Sequence, residues 1–350
     1  MRRGLISRSP VELPDAVFDA RLAGVRAAMR AAQLDALLVY TNNTRPAGVS
    51  WLVGFVPYWS EALLVVPRET APYLVAALTF RVKTWIELVS HLGEVLHNPR
   101  VGLKAAQQIA SGQKDAAIGV VDFDGLPAGI AEDLHAGGPE LRVSDASALF
   151  AKLRSKADPA EIALANKAAA IAHDALAQAR GETLNAMIAA VERRARLLGA
   201  EEIYIAAAPD LARDPAFRRI EGEGALGEHH ALRATVAYKG TWVRLVRTFC
   251  EASLARQAAA RFAEAAAPLP SDRGFASGFE SYLVEGCRMA QPLEPLLGSR
   301  LADGHPPAPG ALVSVEGRIA VSGRTVPVGA PVLLGGEGQA ASLLIDPLFD

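Results

Sequence analysis

The sequence predicts two domains, an α/β domain over residues 1–150 followed by an α+β domain over 151–350. Three observations carry this. Its 350 residues exceed one typical domain and suit two. Helical and strand-sized apolar patterns alternate as far as about residue 145, as in a sheet covered by helices. After Asp158-Pro159-Ala160-Glu161 the order changes to two helices, a hairpin, two helices and more strands.

The first helix is expected from Pro14, a good first-turn residue, with Leu22, Val25 and Met29 on one face. Ala36 to Tyr40 reads as a buried strand, closed by the polar run Thr41-Asn42-Asn43-Thr44. Glu61 to Pro67 and Pro72 to Ala76 read as two strands joined by a turn, Phe80 to Val89 as a helix, and Ala117 to Val121 as a further strand.

At the junction, Asp158 can cap a helix, Pro159 suits its first position, and Glu161 can reach back to the cap. The helix that follows carries Ile162, Ala165, Ala169 and His173 on adjacent turns. A second begins after Gly181, with Leu184, Ile188 and Val191 on one face. Ile203-Tyr204-Ile205 is a strand. Leu232 to Phe249 alternates around Tyr238-Lys239-Gly240 and reads as a β-hairpin. Helices are expected over 252–267 and 276–289, then strands at Leu312 to Val315 and Pro331 to Leu334.

Composition excludes several function classes. Thirty-six Lys and Arg nearly balance 38 Asp and Glu, so nothing global argues for nucleic acid or an anionic membrane as partner. The two cysteines, Cys250 and Cys287, make no disulfide framework and match no zinc-site spacing; both read as small buried hydrophobes. The basic start lacks the apolar stretch of a signal peptide, and the apolar runs are strand-sized, too short to span a bilayer. The chain is read as soluble and cytoplasmic. The glycine runs around Gly224 and Gly336 lack the strand-before, helix-after setting of a dinucleotide loop, and no Gly-x-Ser-x-Gly elbow or phosphate-loop lysine occurs.

The order of the pieces resembles the creatinase, aminopeptidase P and prolidase family of Xaa-Pro peptidases. In the first domain the likeness rests on Arg21-Leu22, Ala36-Leu37-Leu38-Val39, Trp51-Leu52-Val53-Gly54-Phe55 and Glu61 to Pro67. At the junction it rests on Leu153-Arg154-Ser155-Lys156 and Asp158 to Ile162, and later on Tyr238-Lys239-Gly240, Arg247-Thr248-Phe249 and Gly310 to Gly317. The resemblance implies a creatinase-type α/β N-terminal domain, an α+β pita-bread C-terminal domain, and a homodimer.

Active metalloenzymes of that family hold two divalent cations with two Asp, one His and two Glu, and a bridging water becomes the nucleophile. The two Asp positions fall on Arg233 and Arg244, eleven residues apart on the hairpin. No His-Gly-x-Gly pattern is present. The first Glu falls on Glu316 and is retained; the second falls near Gly329 and Ala330. Two like charges at about 4 Å repel by about 4 kcal/mol at an effective dielectric of about 20, so two guanidiniums oppose a cation pair.

No metal and no cofactor are therefore expected. Arg233 and Arg244 are expected to face each other beside Glu316. There they form either a site for a small anionic molecule or a peptide carboxylate, or an ionic plug neutralised by Glu316. Arg247, on the other face, reads as structural. His229 and His230 read as loop residues. With Glu316 they are also the catalytic candidates for a metal-independent hydrolysis of a C–N bond, as in creatinase. The remaining alternative is a metallopeptidase whose ligands lie elsewhere.

Overall fold

A computed structural model describes residues 9–57, 59–220, 223–268, 279–287, 308–336 and 339–349. The described residues up to Arg154 form one compact unit and those from Ser155 a second. The division falls beyond the expected boundary at residue 150 because a helix runs through it.

The first unit contains α1 (Asp15–Ala31), β1 (Ala36–Asn42), α2 (Ala47–Val53), β2 (Glu61–Pro67), β3 (Tyr73–Ala76), α3 (Lys83–Val89), β4 (Glu94–His97), α4 (Val101–Gly112), β5 (Ala117–Val121), α5 (Ala128–Gly137), β6 (Arg142–Asp145) and α6 (Ser147–Arg154). Pro14 stands at the N-cap of α1, one place before the helix proper. The six strands form one sheet in the order β4-β3-β2-β1-β5-β6, with β2 antiparallel to both its neighbours. Alternation along β1 explains its two covered faces. Leu37 and Val39 meet Leu22, Val25 and Met29 of α1 and Leu52 of α2, while Ala36 and Leu38 meet Val101 and Ala105 of α4 and Ile130 of α5.

The second unit opens with α7 (Pro159–Ala177). The cap forms as its sequence demands: Asp158 accepts from the Glu161 amide at 2.8 Å and Glu161 accepts from the Asp158 amide at 3.2 Å. Then come α8 (Leu184–Leu197), β7 (Glu202–Ala208), β8 (His230–Tyr238), β9 (Thr241–Phe249), α9 (Ala252–Ala266), β10 (Ser281–Gly286), β11 (Leu312–Val321), β12 (Arg324–Leu333), β13 (Ser342–Leu343) and β14 (Leu348–Phe349). They make two four-stranded sheets, β14-β9-β8-β7 and β10-β11-β12-β13. The β8–β9 hairpin pairs Tyr238 with Thr241 across Lys239 and Gly240, whose φ values of 45° and 81° make a primed two-residue turn.

The helix expected over 276–289 is corrected. Residues 281–286 form strand β10, paired antiparallel with β11, and residues 276–278, 288 and 289 lie outside the described residues. The short apolar run Tyr282-Leu283-Val284 before Glu285 and Gly286 suits a strand as well as a helix, and the long β11 beside it supplies the hydrogen bonds. Strands β11 and β12 also run further than expected, meeting at a turn over Ser322 and Gly323.

Helix α7 covers one face of β8 and β9, burying Leu232, Ala234, Val236, Val243 and Leu245. Among the described residues no helix is long and apolar enough to cross a membrane.

Candidate functional site

Side chains on the opposite face of the β8–β9 hairpin converge on β11. Arg233 pairs with Val246 and Thr235 with Arg244, so the two arginines share a face on the diagonal and are not directly opposite as expected. Arg233 Nη1 lies 3.3 Å from both carboxylate oxygens of Glu316, and Arg244 Nη1 lies 3.7 Å from Glu316 Oε2. The side chains of Arg233, Arg244 and Glu316 are 13%, 4% and 15% exposed, so this ion cluster is largely removed from water.

Neighbours hold both guanidiniums in place. Arg244 Nε donates to Thr235 Oγ1 at 3.2 Å, and the Arg244 amide donates to Ser314 Oγ at 2.9 Å. The Phe217 ring sits 5.3 Å from Arg233 Cζ, a cation–π distance. Phe217, Thr235 and Ser314 carry no signal in the sequence; their roles arise only when the loop before β8 and the strands β8 and β11 come together.

Arg247 points the other way. Its Nη1 donates to the carbonyls of Leu176 and Ala179 at the end of α7, at 2.5 and 3.5 Å, and its guanidinium lies 4.4 Å from the Phe249 ring. Burial, with Arg180 nearby, draws its pKa down to about 10, still charged at neutral pH.

The two histidines are not brought to Glu316. His230 lies on the α7 face of β8, stacked on Phe249 at 4.4 Å, and burial lowers its pKa. His229 sits at the start of β8, with Nε2 3.2 Å from Arg324 Nη1 and 4.0 Å from Glu251 Oε1.

A second acidic group stands at the other end of the hairpin. The Glu201 carboxyl takes backbone hydrogen bonds from Lys239 and Gly240 in the turn, and burial pushes its pKa up to about 7 against the opposing pull of Lys239.

Residues 21–156 match the family model of the creatinase/prolidase N-terminal domain. Those residues therefore carry a creatinase/prolidase N-terminal domain. Solved structures share the chain's two-domain fold over nearly its whole length. Dipeptidase PepE from Mycobacterium ulcerans is 19% identical with a TM-score of 0.65, covering 96% of this chain and 99% of that one. A prolidase from Pyrococcus horikoshii is 15% identical with a TM-score of 0.67, covering 95% and 99%. An X-Pro aminopeptidase from Thermotoga maritima is 14% identical with a TM-score of 0.71, covering 94% and 99%. No curated protein matches the sequence.

Among the described residues, those around Glu316 do not fit the pair of divalent cations that the resemblance implies. Glu316 pairs directly with Gly329, so the strand register puts glycine opposite the retained carboxylate. A Cβ built on Gly329 would lie 2.8 Å from Val246 Cγ2, so valine fills the space that a second glutamate needs. Arg233 and Arg244 occupy the remaining approach with fixed positive charge.

Proposed function

We propose that the whole chain is a creatinase/prolidase family member and that it works without the dinuclear metal centre. It does not act as a metallopeptidase, and it binds a small anionic molecule or a peptide carboxylate at the face bearing Arg233 and Arg244. The observation that carries this reading is the convergence of both guanidiniums on Glu316. Among the described residues, a cation entering there would meet two permanent positive charges and one carboxylate. Guanidiniums held in place by Thr235 and Phe217 suit a carboxylate, which they recognise through paired hydrogen bonds. Metal-independent hydrolysis with a histidine base is the weaker reading, because His230 faces α7 and His229 lies against Glu251 and Arg324.

The test has two arms. Purified protein incubated with manganese, cobalt or zinc is assayed for bound metal and for hydrolysis of Xaa-Pro dipeptides. The expected result is no hydrolysis and no metal that depends on Glu316. Two equivalents of metal that disappear in Glu316→Gln would overturn the metal-free reading. In the second arm, calorimetry with Xaa-Pro dipeptides and small carboxylates finds a ligand whose affinity drops about tenfold, roughly 1.4 kcal/mol, in Arg233→Ala. Flat titrations across the whole set would remove the binding half of the proposal.

A further inference from the structure

A second cluster of ligand-type side chains gathers at the start of β8. Glu228 and His229 precede the strand, Glu251 stands at the N-cap of α9, and Arg324 opens β12. One ligand atom from each of Glu228, His229 and Glu251 lies within 4.8 Å of the others. Arg324 Nη1 is placed among them, 3.2 Å from His229 Nε2 and 3.4 Å from Glu251 Oε1. A guanidinium can only donate, so His229 Nε2 is the unprotonated nitrogen and turns its lone pair toward a cation. The His229 side chain is 15% exposed, whereas Arg324 is 52% exposed. The imidazole is thus held by the fold, and the cation it meets is the solvated member.

We propose that Glu228, His229 and Glu251 bind one divalent transition metal of the zinc class, which takes the place of the Arg324 guanidinium. One neutral imidazole and two carboxylates match a doubly positive ion in charge. The mixed nitrogen and oxygen set suits zinc, cobalt or nickel better than calcium or magnesium, which favour oxygen alone. Ligand atoms around a tetrahedral ion at about 2.0–2.2 Å stand roughly 3.3–3.5 Å apart. Closing the present spacing therefore needs shifts of about 1 Å, and the two glutamates, both exposed, can supply them by side-chain rotation. Exposed pairs such as Arg324–Glu251 hold weakly, so the ion displaces the guanidinium readily. Three protein ligands leave a fourth position for water. Bound there, the metal fastens the start of β8 to the β9–α9 junction and releases Arg324 of β12. The site is separate from Glu316: His229 lies four positions before Arg233, roughly 13 Å along a strand.

Calorimetric titration of the chelator-treated full chain with zinc chloride tests this. The expected result is one equivalent bound, an affinity at least tenfold weaker in His229→Ala and in Glu251→Gln, several-fold tighter in Arg324→Ala, and unchanged in Glu316→Gln. Circular dichroism on each variant confirms folding, and the glutamate variant keeps the test intact should the histidine variant fail to fold. Absence of zinc binding in both the parent chain and Arg324→Ala would overturn the proposal. So would zinc binding that persists unchanged in His229→Ala and Glu251→Gln. Zinc lost in Glu316→Gln but retained in those two would overturn the metal-free reading as well, so the two failures are distinguishable.

Discussion

Arg244 is a charge held almost out of water, at 4% exposure, with the Glu316 carboxylate and the Thr235 hydroxyl among its partners. Removing one partner from a buried ion pair costs about 3–5 kcal/mol. Glu316→Gln is therefore expected to lower unfolding stability by about that amount, measured by urea denaturation. Glu201 makes a pH prediction. Its folded pKa of about 7 lies above the ordinary glutamate value of 4.5, so the folded state holds the proton more tightly. Stability on this account falls as pH rises from about 4.5 to about 7 and levels off above. Glu201→Gln keeps an acceptor for the turn amides and removes the titration. It is expected to flatten that slope and to gain on the order of 1–3 kcal/mol at pH 8. At this scale Arg233, Arg244 and Glu316 stand out in the sequence only through the family resemblance, which lays metal-ligand positions on them. The sequence did not show that His229 would meet Glu251 and Arg324, which stand 22 and 95 residues further along and reach it only through the fold.

Elements with local signals were legible. Asp158 and Glu161 lie three residues apart and specify their own cap, and Lys239-Gly240 specifies its own turn. Strand β10 was not legible, because its identity depends on β11, whose pairing residues lie about thirty positions later. The same dependence governs how β9 meets β12. Val246 fills the space beside Gly329, so Gly329→Glu forces an overpacked contact, expected to destabilise by about 1–3 kcal/mol. Adding Val246→Ala should recover part of that loss, a pairwise coupling that a double-mutant cycle by chemical denaturation reads directly. Arg247 ties β9 to α7 through the Leu176 and Ala179 carbonyls. Arg247→Ala leaves those acceptors and a cavity behind, and a loss of about 2–4 kcal/mol is expected by the same measurement.

Each unit of the molecule has its own apolar core. One is gathered on the two faces of the six-stranded sheet and the other around α7, α9 and the two smaller sheets. Calorimetry is expected to resolve two thermal transitions, with Glu316→Gln lowering only one of them. A single transition that moves as a whole would show that the units unfold together. This division was visible in the sequence as a change of texture at Asp158, but its exact place was not, since α6 reads as a continuation of the first pattern until Arg154.

The valine packed beside Gly329 limits what a single replacement can do. Setting aspartate at either arginine, alone, puts a carboxylate next to Glu316 and takes away one of the charges that balance it. Putting a glutamate at 329 first collides with Val246. Each of these single steps is expected to cost stability, so installing a cation site here calls for several concerted replacements.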